Sequence, residues 1–380
     1  MAYKSASQQL YHQGTKAGNI TKNIFMQAAF TFGKEDIRLE EVAVPSIDRN
    51  EILVKTASAS ICGTDLRMYK NGYKGIDEQH PLVQGHELSG VIADVGADVK
   101  NLSDLNGNTY RTGLRVAVAP NMGCGVCDLC VSGNTHLCAN YKALGINLNG
   151  GFAEYFCVPE AAVRQGCVSV IPDTLSFEEA SLAEPLSCVY NGFERWQIKP
   201  GNSVLIMGSG PIGIIHVMMA KMAGAGKIFI NDNNEQRLDE ALKFEPSAIA
   251  LTADNLKEKI FDLTNGHGVD ICVTANPSPQ AQILAIQLMA VNGRVIYFGG
   301  VPAGADMSGL DTNLIHYRQL IVTGTTRQSV LQFRTTLEML SDGVIDVKKL
   351  ITHRHKLDNI QAAFQQAIDR EGIKHVINFS

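Results

Sequence analysis

The chain has 380 residues, 45% of them hydrophobic and 19% charged, which is too long for one ordinary core and excludes an intrinsically disordered protein. Lys and Arg number 33 against 38 Asp and Glu, so the formal charge is -5 and the large positive field of a general nucleic-acid or membrane-surface binder is missing. Nine cysteines in a chain of this length are not a disulfide scaffold, and four of them crowd into fifteen residues, which points to metal in a reducing, cytoplasmic setting.

Residues 1–22, rich in Gln, Ser, Lys and Gly, read as an N-terminal arm with no apolar stretch of signal-peptide length. From Ile24 onward, short runs such as 51–56 and 88–96 read as strands separated by Gly, Pro and Asn, the pattern of an irregular β-rich domain. Helical periodicity is scarce until Ser176. The texture then changes. Residues 203–207 form an apolar strand, followed by a glycine turn and a helix over 212–223, and further strands are expected at 227–232, 269–274 and 294–299 with helices between them. Buried strands alternating with helices predict a parallel sheet covered on both faces. Helices are expected at 330–341 and 359–368, with a closing strand at 375–379. No apolar run reaches the roughly 20 residues of a membrane span. The fold class is α/β, with a β-rich domain over 23–186 and 327–380 and a doubly wound domain over 187–326.

Gly208-Ser209-Gly210-Pro211-Ile212-Gly213 falls where a strand ends and a helix begins. Its first glycine permits the tight turn and its second lets a pyrophosphate approach the backbone. The third lets the helix pack closely, with its N-terminus toward the phosphates. Asp232, nineteen positions past Gly213, ends the next strand, where a carboxylate bonds ribose hydroxyls and repels a 2′-phosphate. Arg237 is read as lying against the adenine or ribose, because Asn233 and Asn234 follow Asp232 in place of a basic residue. The cofactor is expected to be NAD rather than NADP.

Cys124, Cys127, Cys130 and Cys138 have two, two and seven residues between them. Zinc takes four thiolates in a tetrahedron, and such a closed site holds a loop rather than doing chemistry. Cys62, His86, Glu87 and Glu184 are dispersed, and spacing alone does not join them.

The Cys62-Gly-Thr-Asp motif, Gly85-His86-Glu87, the four-cysteine lobe and the Gly208 turn follow one another in the order found in zinc-containing medium-chain dehydrogenases, a family this chain resembles from about Ile24 onward. Glu184-Pro-Leu-Ser makes it similar to the polyol branch, typified by sorbitol dehydrogenase. The resemblance implies a GroES-like catalytic domain, a Rossmann coenzyme domain and assembly as a homodimer or homotetramer. It also implies a catalytic zinc ringed by Cys62, His86, Glu87 and Glu184, the two glutamates exchanging with water. An open zinc site acts as a Lewis acid on an alcohol while hydride passes to the nicotinamide. Thr64, two residues from Cys62, is the candidate first proton acceptor. Gly324-Thr-Thr-Arg327 resembles the segment whose arginine approaches substrate and cofactor.

The chain also departs from the family. Arg67 occupies the place of a histidine that relays protons in many relatives, and it cannot act as a base at neutral pH. Met68 stands where sorbitol dehydrogenases carry an aromatic residue, and Gln328 where a tyrosine usually follows the arginine. The expected substrate is therefore a secondary alcohol, a polyol or sugar alcohol, without commitment to sorbitol. Arg67, Lys70 and Lys74 belong either to a solvated loop or to a site for a substrate phosphate or carboxylate. Two other classes fit the motifs less well. An inactive zinc- and nucleotide-binding sensor predicts damage at the open metal site, yet all four shell candidates are present. A zinc-free quinone reductase would lack both metal motifs.

Overall fold

A computed structural model describes residues 25–104 and 106–379; the arm expected over 1–22 lies outside the described residues. The chain divides into two compact units, one running to Ser187 and resuming over Gln328–Ser380, the other Cys188–Arg327. No helix among the described residues is long and apolar enough to cross a membrane.

The first unit is built on a seven-stranded sheet, ordered Val168–Val170, Arg115–Val118, Glu87–Val95, Ile52–Ser60, Lys374–Asn378 and Ile351–Lys356, with Tyr155–Val158 also paired to Ile52–Ser60. A smaller three-stranded sheet carries Asp36–Ala43, Phe25–Gly33 and Leu82–Val83. Met26, Phe30, Phe152 and Phe364 fill the core between these elements, with Phe152 and Phe364 edge-on at 5.8 Å. The register of the large sheet decides what meets at its end: Ser60 pairs with Glu87 on one side and with Val376 on the other. The chain just past Ser60, the start of Glu87–Val95 and the start of Lys374–Asn378 therefore converge.

One element differs from expectation. Residues Gly63–Asn71 form a helix where the sequence showed little helical periodicity. Only Asp65 and Met68 are buried along it, so the apolar stripe that betrays most helices is nearly absent. Its N-cap is Cys62 rather than one of the usual hydroxyl or carboxamide caps, and Asp65 reaches back to bond the Cys62 N–H at 2.9 Å. Arg67 and Lys70 thus belong to a helix, not a loop.

The second unit is a six-stranded parallel sheet in the order Ile249–Leu251, Lys227–Asn231, Ser203–Met207, Val269–Thr274, Met289–Tyr297, Ile321–Gly324. The first and last of these were not expected, being only three and four residues long. Counted along the chain the order is 3-2-1-4-5-6, which reverses beside Ser203–Met207 and opens a crevice at its carboxyl end. Val204 to Met207 are buried, as a strand covered on both faces requires.

Helix Pro211–Met222 packs against this sheet and carries His216 into an aromatic nest. Its ring stacks on Trp196 at 5.6 Å and meets Phe298 edge-on at 4.8 Å. Burial pushes its pKa down from 6.5 to about 3. The unfolded chain takes up a proton near pH 6.5 that the folded chain refuses until about pH 3, so stability is lost as the pH falls through that window. At pH 5 the loss is about 2 kcal/mol, at about 1.36 kcal/mol per pH unit. His216→Phe should flatten the decline in denaturant stability between about pH 6.5 and pH 5; equal slopes for variant and wild type would refute the assignment.

Candidate active site

At the end of the first unit's large sheet, the Cys62 sulfur, a His86 ring nitrogen and a Glu87 carboxylate oxygen all lie within 4.8 Å of one another. His86 and Glu87 are buried and Cys62 is half-buried. The sheet register causes the meeting, since Ser60 opposite Glu87 sets Cys62 beside His86.

A carboxylate holds this group in shape. Asp65, fully buried, accepts the Cys62 N–H at 2.9 Å and the Gly85 N–H at 3.4 Å, and lies 3.2 Å from His86 Nδ1. The approach of the Asp65 carboxylate at that distance favours the proton on Nδ1 and leaves Nε2 with its lone pair for a metal. Burial alone would lower the His86 pKa, yet Asp65 and the Cys62 sulfur raise it well above its ordinary value. The ring's surroundings favour a positive charge, which a dication supplies better than a proton.

Glu87 is anchored through one oxygen. Its Oε2 accepts from Lys374 Nζ at 2.5 Å and from the Ser60 hydroxyl, while its buried Oε1 has no hydrogen-bond partner. A buried carboxylate oxygen left unpaired is costly, and this one belongs to the residue grouped with Cys62 and His86. The donor set of one thiolate, one imidazole and one carboxylate is that of an open zinc site, and it fits. Asp65, Ser60 and Lys374 were not singled out from the sequence. Asp65 had a signal, an acid three residues after the chain position that opens a helix; Lys374 had none, lying 287 residues from Glu87.

Thr64 is half-buried in the first turn of helix Gly63–Asn71, and its Oγ accepts from Arg67 Nη2 at 3.0 Å. Glu184 is buried in the first turn of helix Ala183–Phe193, where its carbonyl accepts the Ser187 hydroxyl at 2.6 Å. Its carboxylate is not one of the donors gathered within 4.8 Å at Cys62.

The four-cysteine lobe closes on itself. The sulfurs of Cys124 and Cys130 are 3.9 Å apart, those of Cys127 and Cys130 3.5 Å, and those of Cys127 and Cys138 3.8 Å. A tetrahedron with Zn–S bonds near 2.3 Å has edges of about 3.8 Å. All four thiols are free rather than paired in disulfides. N–H groups of Val126 and Cys127 draw the Cys124 pKa down to about 6, whereas burial pushes Cys130 up to about 12. Four thiolates coexist here only with a cation among them, and the spacing fits zinc.

In the second unit, Gly208 has φ +116°, and Gly213 stands so close that a Cβ would fall 1.8 Å from the Gly208 carbonyl oxygen. Only glycine serves at either place. Gly210 caps helix Pro211–Met222, with Pro211 and Ile212 in its first turn, so its first N–H groups face the turn. Asp232 is tied to the same turn: its Oδ2 accepts from the Ser209 N–H and hydroxyl, both at 2.8 Å, and its Oδ1 from the Asn234 N–H at 3.1 Å. Ser209, completely buried, was missed in the sequence because it is the variable position of the glycine motif. The guanidinium of Arg237 lies over the turn, for a Cβ on Gly210 would be 3.1 Å from its Nη1. Arg327 is exposed with φ +56°, an unusual backbone for a non-glycine residue. Asn191 Nδ2 holds that bend by donating to the carbonyls of Thr326 at 3.2 Å and Arg327 at 2.9 Å.

A GroES-like unit with an open zinc-type donor set and a cysteine-lined lobe, together with a dinucleotide-type sheet, defines a class, and comparison with known proteins agrees. Residues 48–171 match the alcohol dehydrogenase GroES-like domain and residues 211–342 the zinc-binding dehydrogenase domain. The chain belongs to the zinc-binding alcohol dehydrogenase family. It is 32% identical to sorbitol dehydrogenase of Bacillus subtilis strain 168 over 90% of this chain and 94% of that protein. It is 33% identical to L-threonine 3-dehydrogenase of Bacillus velezensis over 86% of this chain and 90% of that protein. A zinc-binding dehydrogenase from Sinorhizobium meliloti 1021, solved with NADP, superposes with a TM-score of 0.82 at 26% identity, covering 94% of this chain and 100% of that one.

Proposed function

We propose that this protein interconverts a secondary alcohol, a polyol or sugar alcohol, and the corresponding ketone, passing hydride to or from NAD. The observation that carries the reading is the donor group of Cys62, His86 and Glu87, with a buried Glu87 oxygen that no protein group satisfies. Zinc held there supplies Lewis acidity toward the alcohol oxygen. Thr64 relays the proton that the alcohol gives up, releasing its own hydroxyl proton toward solvent as it takes the alcohol's, and the Arg67 guanidinium on its Oγ favours that release. Arg67 cannot carry the proton onward, being a permanent cation. Glu184 is assigned to the metal shell as an exchangeable carboxylate, a role supported by its burial in the same unit and by the polyol relatives.

The glycine turn and the N-terminus of helix Pro211–Met222 take the pyrophosphate of the dinucleotide, with Arg237 over the turn, and Arg327 is assigned to the approach of substrate and cofactor by resemblance. Asp232 argues for NAD, because a carboxylate there bonds ribose hydroxyls and repels the extra phosphate of NADP. The preference rests on Asp232 itself, since the S. meliloti neighbour was solved with NADP. Four Cys thiolates hold a second, structural zinc. Assembly as a homodimer or homotetramer, and residence in a reducing cytoplasm that keeps the thiols free, complete the reading.

Zinc-loaded protein screened against polyols, polyol phosphates and sugar acids should generate NADH absorbance, with kcat/KM for NAD exceeding that for NADP by roughly tenfold or more. No turnover of any alcohol would sink the reading, and equal use of NADP would sink the role of Asp232.

A further inference from the structure

We propose that Arg67, assisted by Lys70 and Lys74, binds an oxyanion on the substrate, so that the alcohol oxidised carries a phosphate ester or a carboxylate a few atoms from the reacting carbon. This rests on the dehydrogenase reading of the same site and names the chemical class that the site selects.

The placement comes from the helix. Thr64, Arg67 and Lys70 follow one another at intervals of three on helix Gly63–Asn71, so Arg67 neighbours both of the others, and that helix starts at Cys62. Arg67 Nη2 donates to Thr64 Oγ at 3.0 Å, which brings the guanidinium to the hydroxyl assigned to receive the substrate's proton. One of the five N–H donors of Arg67 is used in this way, and its planar fork suits two oxygens of a carboxylate or phosphate. Lys74 follows two residues beyond the helix's C-cap, Gly72.

The charge is uncompensated. Among the described residues, none of Arg67, Lys70 and Lys74 makes an ion pair. Apart from Glu35, the acids of the neighbourhood are committed elsewhere. Asp65 is turned inward to Cys62, Gly85 and His86. Asp77 holds His80, while Glu78 and Asp36 hold Arg38. Glu35 donates its N–H to the Tyr69 carbonyl at 2.7 Å, yet its carboxylate pairs with none of the three cations. In a chain of net charge -5, three unpaired cations within eight residues, on and just past the helix that opens at Cys62, are a local inversion of sign. A cation in the position where a neutral, proton-relaying histidine would serve a neutral polyol is explained by an anion that must be held.

The test uses the zinc-loaded full chain with NAD and three substrates of one carbon skeleton: a neutral polyol, its monophosphate and the corresponding sugar acid. At least one anion should exceed the neutral parent in kcat/KM by roughly tenfold, and the better of the two identifies phosphate or carboxylate as the group recognised. Arg67→Ala should reduce that preference by roughly tenfold or more through KM for the anion, Arg67→Lys should restore part of it, and Lys70→Ala and Lys74→Ala should each reduce it by about two- to threefold. The preference should also shrink as salt rises from about 0.05 to 0.5 M. Turnover confined to neutral polyols overturns the proposal alone. So does a fall in kcat for Arg67→Ala that is equal on charged and neutral substrates, because Arg67 would then act only through Thr64. Absence of turnover on every alcohol overturns the dehydrogenase reading and this proposal with it.

Discussion

Cys62→Ser should lower kcat/KM for the alcohol by roughly a thousandfold or more and reduce bound zinc from about two ions per chain to about one. The substitution isolates the metal from the fold. Cys62 is the N-cap of helix Gly63–Asn71, and serine is among the best N-cap residues, so the helix keeps its start. Asp65 keeps its bond to the backbone N–H of residue 62, which does not depend on the side chain. What changes is the donor. A Cys sulfur is a strong zinc ligand, whereas a serine hydroxyl is a poor one. Of the three gathered donors only His86 and Glu87 then remain, and Glu87 shares its charge with Lys374. The thermal midpoint should move little, because the four-cysteine lobe is untouched. Retention of two ions and of wild-type activity would place the catalytic metal elsewhere; loss of both ions would mean that the two sites are not separate.

The contrast between the two metal sites shows what a sequence discloses. The four cysteines span fifteen positions, so the short loops between them limit where their sulfurs lie, and the tetrahedral spacing is legible from the intervals alone. The glycine turn is legible for the same reason, since Gly208, Gly213 and Asp232 are linked by one strand, one helix and the next strand. The open site depends on register. Cys62 and His86 meet because Ser60 pairs with Glu87, and Lys374 arrives because Ser60 also pairs with Val376. A slip of one residue in either pairing would turn these side chains to the opposite face, and nothing in the local pattern specifies it. Resemblance to the polyol dehydrogenases supplied Cys62, His86 and Glu87, which the structure brings together, and Glu184, which stands outside that group. It did not supply Asp65 or Lys374, which touch the donors without being donors themselves. Helix Gly63–Asn71 was hidden by its sulfur cap and its thin apolar face, and with it the alignment of Thr64, Arg67 and Lys70.

Lys374→Met should destabilise zinc-free protein by about 3–5 kcal/mol, the usual cost of removing one partner from a buried ion pair. Lys374 is buried beside the fully buried Glu87, and its ammonium donates to Glu87 Oε2 at 2.5 Å and to the Ile61 carbonyl at 2.9 Å. Methionine fills much of the same volume, so the loss reports charge more than packing. Without the ammonium, burial pushes the Glu87 carboxyl upward and favours the protonated acid. Two consequences separate this account from a simple packing defect. The double variant Lys374→Met with Glu87→Gln should recover a substantial part of the lost stability, because the uncompensated carboxylate is gone. Loading with zinc should also narrow the gap between Lys374→Met and wild type, since a dication beside Glu87 neutralises the charge that Lys374 no longer meets. Denaturant titration of the four proteins, with and without zinc, measures both. A Lys374→Met protein as stable as wild type, or a double variant weaker by the full sum of the two single changes, would show that Glu87 does not depend on Lys374.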